Sequence, residues 1–206
     1  MSKDRLNVDD IEFVWTKYDP EHELLNQYFV LRHNVYREFD LDYYYKPEPT
    51  GWDRTEFSFF LLLVNKHTKQ TVGGRRFIIH KPGADNITYI EANTRTKAKD
   101  MLPNLDTKNM CYAESGALCF HKSIRGIGAD VPMYKMSFEK MREMEVDFMM
   151  SSPVPHNMPK IEAAAKANGI KQIVWREDLP SLEDGDEDPT MFMSFKTQDE
   201  LDLRKQ

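Results

Sequence analysis

The segment that most constrains the fold runs from residue 109 to residue 131, where a strand pattern leads through a glycine-bearing turn into a helix. Residues 109–121 (NMCYAESGALCFH) are mostly apolar, which is typical of a strand covered by other parts of the protein. The turn contains Gly126 and Gly128, and apolar residues at helical spacing begin near Val131. The segment therefore indicates a domain that combines a sheet with helices.

The rest of the chain continues this alternation of strands and helices. Short apolar runs predict strands, and apolar residues at helical spacing predict helices. The predicted strands are 10–18, 57–64, 71–80, 109–121, 147–152, 170–176 and 190–196, and the predicted helices are 21–39, 131–145 and 158–168. Residues 81–108 are predicted to form a loop with a short helix or an irregular excursion. The order predicts an α/β (or α+β) domain with a mixed sheet.

Length and composition indicate one globular domain. The chain has 206 residues, 40% of them hydrophobic and 30% charged, which is ordinary for a folded protein with a sizeable core. We expect a single domain over residues 1–206, with its core at about 9–197 and a solvated acidic loop at 177–189. A net charge of −6 without any basic run argues against a nucleic-acid partner.

The sequence also predicts the type of compartment and excludes some kinds of site. The longest apolar run, residues 59–64, is too short to cross a bilayer, and the first ten residues lack the hydrophobic stretch of a secretory signal. Cys111 and Cys119 have no ligand partners at metal-binding spacing, so we expect reduced core thiols and no metal. These features predict a cytoplasmic protein with no tightly bound cofactor.

The glycine turn has the chemistry of an anion or thioester site. Gly126 and Gly128 allow successive backbone N–H groups to point outward, and the helix that follows adds a partial positive charge. Arg125 is a charge-assisted donor beside them. On this local pattern alone, a plain strand-to-helix turn fits equally well.

Glu114 is the most unusual residue of the apolar strand, because an unpaired buried carboxylate is costly. One hypothesis makes it a general base that takes a proton from an amine. The alternative is an edge position in water, or a structural pair with an arginine.

Arginines on two other elements are further candidates. The predicted helix 21–39 has an apolar stripe formed by Leu24, Tyr28, Leu31 and Val35. A neighbouring row includes a charged residue and is formed by Leu25, Phe29, Arg32 and Tyr36. Arg75 and Arg76 adjoin on one predicted strand, so their side chains point to opposite faces and one is expected to face solvent.

The element order and the stretch 125–129 (RGIGA) together resemble the GNAT superfamily of N-acyltransferases, and 157–169 matches the helix that follows the next strand. The resemblance implies a mostly antiparallel sheet with a splayed strand pair, distorted here at Gly116. It assigns the acyl-donor arm to the backbone of two strand residues and to the turn, namely Leu118, Phe120, Arg125, Gly126, Ile127, Gly128 and Ala129. Asp130 stands where the family has a small residue, and its charge at short range would repel a coenzyme A pyrophosphate by about 1 kcal/mol or more.

Residues 25–120 resemble more narrowly the acyl-homoserine-lactone synthases (autoinducer synthases) and the N-acyl amino acid synthases. The matching motifs are Arg32 to Tyr36, Trp52, Asp53 to Glu56 and Gly73 to Arg76. A last motif is matched only at its glutamate, Glu114, and has Ala117 in place of its arginine. The resemblance implies catalytic roles for Glu114, Arg32 and Asp53. It places Tyr36, Trp52, Glu56, Arg76 and Ser115 against the substrate.

These observations predict an N-acyltransferase that moves an acyl group from an acyl carrier protein or acyl-CoA thioester to a small amine. Arg32 and Arg76 either anchor an acceptor carboxylate or order the loops of the active site, and Asp53 and Glu56 either bind the acceptor ammonium or share the base role. One alternative is an acetyl-CoA-dependent N-acetyltransferase of the same fold. Another is a non-catalytic GNAT-like module that binds a ligand or a protein.

Overall fold

The computed structural model describes residues 5–39, 46–84, 86–101, 108–153, 157–176 and 190–195. The predicted acidic loop at 177–189 and both chain ends lie outside these residues. None of the described helices is long and apolar enough to cross a membrane.

The sheet is mixed, as the sequence predicts. Its strands are β1 (Ile11–Lys17), β2 (Ser58–Asn65), β3 (Thr71–His80), β4 (Tyr112–Phe120), β5 (Phe148–Ser151), β6 (Gln172–Arg176) and β7 (Thr190–Ser194), in the order β1-β2-β3-β4-β5-β7-β6. β4 and β5 run parallel, whereas β1–β2, β5–β7 and β6–β7 are antiparallel pairs. The predicted mixed, mostly antiparallel sheet is therefore confirmed.

Five helices accompany the described strands. They are α1 (Glu23–Arg37), α2 (Tyr89–Thr94), α3 (Ala98–Met101), α4 (Asp130–Glu143) and α5 (Met158–Ala167). The three long helices lie where the apolar periodicity predicts them. The predicted excursion between β3 and β4 contains the two short helices α2 and α3 in place of one.

Residue contacts divide the chain into two compact units, residues 1–77 with 117–133, and residues 78–116 with 134–206. The single-domain organisation stays a prediction. The core of the first unit lies between α1 and β2, where Tyr28, Phe29 and Phe60 meet at ring distances of 5.6–5.8 Å. Edge-to-face contacts of this kind add to the gain from burying the rings.

The core of the second unit covers one face of its strands. Residues that share this face are Tyr112 on β4, Phe148 and Met150 on β5, and Phe192 on β7, because paired residues project to the same side. The rings of Tyr112 and Phe148 are stacked 5.0 Å apart. Helices α2 and α3 pack over this cluster through Ile90, Ala98 and Met101.

Gly74 is the position where the first core leaves no room for a side chain. A Cβ there would lie 2.9 Å from the Leu61 carbonyl oxygen and 2.9 Å from the Tyr28 ring. We expect Gly74→Ala to lower the free energy of unfolding by about 1–3 kcal/mol, because backbone and a buried ring must both shift. Denaturant unfolding measures the change. Gly51→Ala is the control, since nothing lies within 4 Å of its Cβ; equal losses in both variants would contradict the packing explanation.

Candidate functional site

Arg32, Asp53 and Arg76 form a buried ion triplet in the first unit. Arg32 on α1 donates to both Asp53 carboxylate oxygens, at 2.9 and 2.8 Å. Arg76 on β3 donates to Asp53 Oδ1 at 3.3 Å. The side chains are 0% exposed for Arg32 and Asp53 and 1% for Arg76, so water does not compete for these bonds. Three residues that the sequence singled out are thus brought together.

Asp53 is held as an ionised group. Its burial alone would raise the pKa of the carboxyl, but the hydrogen bonds and charge of Arg32, the charge of Arg76 and the hydroxyl of Thr50 lower it to about 2. The backbone N–H and hydroxyl of Thr50 both donate to Asp53 Oδ2, at 2.7 Å each. A carboxylate with these partners is a weak base, so the geometry favours a loop-ordering role for the triplet over a role for Asp53 in proton transfer.

The remaining candidates around the triplet differ in exposure. Tyr36 and Trp52 are half-buried, whereas Glu56 is exposed. Arg75, the neighbour of Arg76, is also buried and lies over the Phe77 ring at 4.9 Å. The expectation that one of these two arginines faces solvent is therefore wrong.

Strand β4 contains a backbone distortion in its middle. Ala117 has φ = 53°, in the left-handed region that residues other than glycine rarely adopt. The hydroxyl of Tyr28 on α1 donates to the Ala117 carbonyl oxygen at 2.5 Å and holds this conformation. The sequence predicted a distortion at Gly116, so the prediction is wrong by one residue.

The described register of β4 with β5 is short. It runs over Tyr112↔Phe148, Ala113↔Met149 and Glu114↔Met150, and β5 ends at Ser151. At that end the Ser151 hydroxyl donates to the carbonyl oxygen of buried Ser115 at 3.0 Å. Beyond it, Leu118 and Phe120 are half-buried. A register confined to the first three residues of β4 fits the predicted splayed pair.

Glu114 lies at the last registered position of β4 and is 1% exposed. Its Oε2 accepts a hydrogen bond from the backbone N–H of Ile90, in the first turn of α2, at 2.7 Å. The alternative that placed this side chain in bulk water at a sheet edge is therefore wrong. A buried, hydrogen-bonded carboxylate is a group that can bind an ammonium or accept its proton.

Both glycines of the turn adopt a left-handed backbone. Gly126 and Gly128 have φ values of 74° and 84°. Ile127 is half-buried and Ala129 buried, and the turn closes with the Val131 N–H donating to the Gly128 carbonyl at 3.1 Å. By helix geometry, the first N–H groups of α4 lack partners within the helix.

The Arg125 side chain, at the start of the turn, contacts three neighbouring residues. Its Nη1 pairs with Glu38 Oε2 at 2.6 Å, its Nε donates to the Phe120 carbonyl at 2.8 Å, and its guanidinium lies 5.6 Å from the Phe39 ring centre. Asp130, the first residue of α4, is 8% exposed. Both carboxylates make the surroundings of this turn less favourable to a pyrophosphate than the turn motif alone suggests.

Sequence reasoning missed Tyr28 and the pair of Glu91 and Tyr112 that supports α2. Tyr28 appeared only as an apolar stripe residue, and nothing local marks its hydroxyl as a partner of β4. Glu91 could have been found, since Thr88 and Glu91 have the spacing of a capping box, which the structure contains.

The two cysteines lie buried as free thiols. Burial raises the pKa of Cys119 to about 12 and also raises that of Cys111. Within the described ranges, no group of three or more His, Cys, Asp or Glu side chains is placed to hold a metal ion.

No protein-family model matches this sequence, and no curated protein sequence matches it. Solved structures do match its fold. BjaI, a CoA-dependent acyl-homoserine lactone synthase solved with SAM and isopentyl-CoA, has a TM-score of 0.62 at 16% identity, over 91% of this chain and 85% of that chain. FeeM, an N-acyl amino acid synthase from uncultured soil microbes, has a TM-score of 0.60 at 10% identity, over 89% and 91%.

The acyl-homoserine lactone synthase LasI also matches, with a TM-score of 0.52 at 14% identity over 91% of each chain. The resemblance inferred from the sequence is thus confirmed at the level of the fold. The chain has the GNAT-like architecture of acyl-homoserine lactone and N-acyl amino acid synthases.

Proposed function

We propose that the chain is an N-acyltransferase that moves an acyl group from a pantetheine thioester to the amine of a small molecule. The observation that carries the proposal is the position of Glu114. It is a buried carboxylate on β4, at the last residue registered with β5 and three residues before the distortion at Ala117. The fold shared with acyltransferases supports the same reaction class.

In the proposed reaction, the amine nitrogen attacks the thioester carbonyl carbon, so that a C–N bond forms. The C–S bond then breaks and releases the pantetheine thiol. Glu114 takes the proton of the attacking amine, directly or through one water, and the proton finally neutralises the departing thiolate. The distorted backbone of β4 near Leu118 and Phe120 supplies N–H donors that stabilise the oxyanion.

The other residues have supporting roles in this proposal. Arg32, Asp53 and Arg76 order the loop that contains Trp52 and Glu56, which would meet the acceptor together with Tyr36 and Ser115. The turn from Arg125 to Ala129 would hold the donor arm. Bonds to an ionised buried partner are worth about 1.5–3 kcal/mol each, so the triplet can fix a loop firmly.

The acyl donor is the open part of the proposal. BjaI is described as CoA-dependent, which favours an acyl-CoA. The carboxylates of Glu38 and Asp130 at the turn favour a carrier-protein thioester, which brings no coenzyme A pyrophosphate there. The protein's predicted cytoplasmic location would give access to both donors.

The test is an acyl-transfer assay with purified protein. Acyl-CoA and acyl-carrier-protein donors from acetyl to long-chain are each combined with a panel of small amines and amino acids. Free thiol and the amide product are followed, the latter by mass spectrometry. We expect amine-dependent thiol release with at least one donor class. Acetyl-CoA as the sole productive donor would indicate an N-acetyltransferase, and no amide product with any pair would contradict the proposal.

A further inference from the structure

Glu91 on α2 is a buried carboxylate that joins three elements of the second unit. The side chain of this residue is 4% exposed. Its Oε2 accepts from the Thr88 N–H at 2.9 Å, at the start of α2, and its Oε1 accepts from the Ala98 N–H at 2.9 Å, at the start of α3. The hydroxyl of Tyr112 on β4 donates to both oxygens, at 3.0 and 3.1 Å. A buried carboxylate needs such partners to offset its desolvation.

Tyr112 is fixed on both sides of its ring. It is stacked on Phe148 and on His80, with centroid distances of 5.0 and 4.2 Å. Burial, together with the neighbouring charge of Glu91, raises the pKa of the Tyr112 hydroxyl well above its ordinary value. The hydroxyl therefore stays protonated at neutral pH, where it can donate to Glu91.

The same short helix also contacts Glu114. Tyr112 and Glu114 are two residues apart on β4, so their side chains project from one face of the strand. Glu91 holds the first turn of α2 because its carboxylate accepts the Thr88 N–H. The Ile90 N–H of that turn donates to Glu114 Oε2 at 2.7 Å. Ile90 itself is buried in the apolar cluster with Tyr112. The position of the Glu114 carboxylate thus depends on where Glu91 and Tyr112 hold α2.

We infer that Glu91 and Tyr112 are positioning residues for Glu114, acting through the backbone of α2; their catalytic effect rests on the function proposed above. Neither residue needs to touch a substrate. Their contribution is to keep the Ile90 N–H in place, so that Glu114 Oε2 stays hydrogen-bonded and the carboxylate keeps its position. A base that is misplaced by a fraction of an ångström loses much of its effect.

Tyr112→Phe is the most selective variant, because it removes only the hydroxyl. The ring, its two stacking contacts and the capping box of Thr88 and Glu91 remain. Tyr18→Phe is the matched control, on the half-buried tyrosine that follows β1 in the other unit. The first measurement is amide hydrogen exchange of Ile90 by NMR, which requires no substrate. We expect exchange in Tyr112→Phe to be about tenfold faster than in the wild type and in Tyr18→Phe. Unchanged exchange at Ile90 would overturn the inference.

The second measurement is a double-mutant cycle on kcat. We expect Tyr112→Phe to lower kcat about tenfold in the wild-type background, and less than about twofold in the Glu114→Gln background, where the base is already absent. A tenfold loss in both backgrounds means that Tyr112 supports the fold and not Glu114. Should the wild type transfer no acyl group at all, the proposed function fails together with the catalytic part of this inference, while Ile90 exchange still decides its structural part.

Discussion

Glu114→Gln is expected to lower kcat for amine acylation about a hundredfold or more, because it removes the proposed general base. Glutamine has nearly the same shape as glutamate, and its side-chain oxygen can still accept the hydrogen bond from the Ile90 N–H. The thioester contacts are backbone contacts in the proposed mechanism, so KM for the acyl donor should change little. Steady-state kinetics with the best donor and acceptor pair of the transfer assay provide both constants.

The control for this variant is Glu139→Gln on α4, which neutralises an exposed carboxylate that pairs only loosely with Lys135, at 3.9 Å. It should leave kcat unchanged. Thermal unfolding of both variants separates loss of chemistry from loss of fold. A Glu114→Gln protein that is folded and fully active would remove Glu114 from the mechanism, and another group would then have to take the proton of the amine.

Asp53→Asn is expected to have the second large effect, a loss of stability. The substitution leaves Arg32 and Arg76 buried without their shared counter-charge. Breaking a buried ion pair by removing one partner typically costs about 3–5 kcal/mol. We expect a loss of this size in the free energy of unfolding by denaturant. Glu56→Gln, three residues further along the same segment and exposed, should cost less than about 0.5 kcal/mol.

The pH dependence of stability provides an independent check of the same triplet. The pKa of Asp53 in the folded protein is lowered to about 2, below its ordinary value in the unfolded chain. The unfolded state therefore binds the proton first, and the contribution of Asp53 is present above about pH 4 and lost as pH falls toward 2. We expect the stability difference between wild type and Asp53→Asn to shrink by about 2 kcal/mol over this range. A constant difference would contradict the ionised triplet.

The sequence predicts the element order well because the signals are strong where the elements are long. β3 was predicted at 71–80 and is Thr71–His80, and the long helices lie at their predicted places. The turn before α4 could also be located, because it contains Gly126 and Gly128, which adopt the positive φ that few other residues tolerate. These features depend on residues that are close in sequence, so they can be predicted from the sequence alone.

The burial of charged side chains is harder to predict from the sequence than the order of the elements. On α1 the buried residues are Leu25, Tyr28, Phe29, Arg32 and Val35, whereas Leu24 and Leu31 of the predicted stripe are only half-buried. Hydrophobicity alone cannot assign an arginine to the interior, since its burial depends on a carboxylate 21 residues away in sequence. The same holds for Arg75 and Arg76, both of which are buried.

The distortion of β4 shows a second limit of prediction from local sequence. Glycine has the backbone freedom for it, so Gly116 was the natural expectation. The left-handed residue is Ala117, held by the hydroxyl of Tyr28, which is 89 residues away in sequence. Where a long-range hydrogen bond offsets the strain of about 1–2 kcal/mol, local propensity does not identify the residue.

The buried cysteines have a practical consequence for enzymology. Both side chains are buried, and burial keeps the thiols protonated because it raises their pKa values. Disulfide exchange and alkylation need an accessible thiolate. A chromogenic thiol reagent in native buffer will therefore report the thiol that leaves the donor, with little background from the protein, whereas both cysteines become titratable once the chain is denatured.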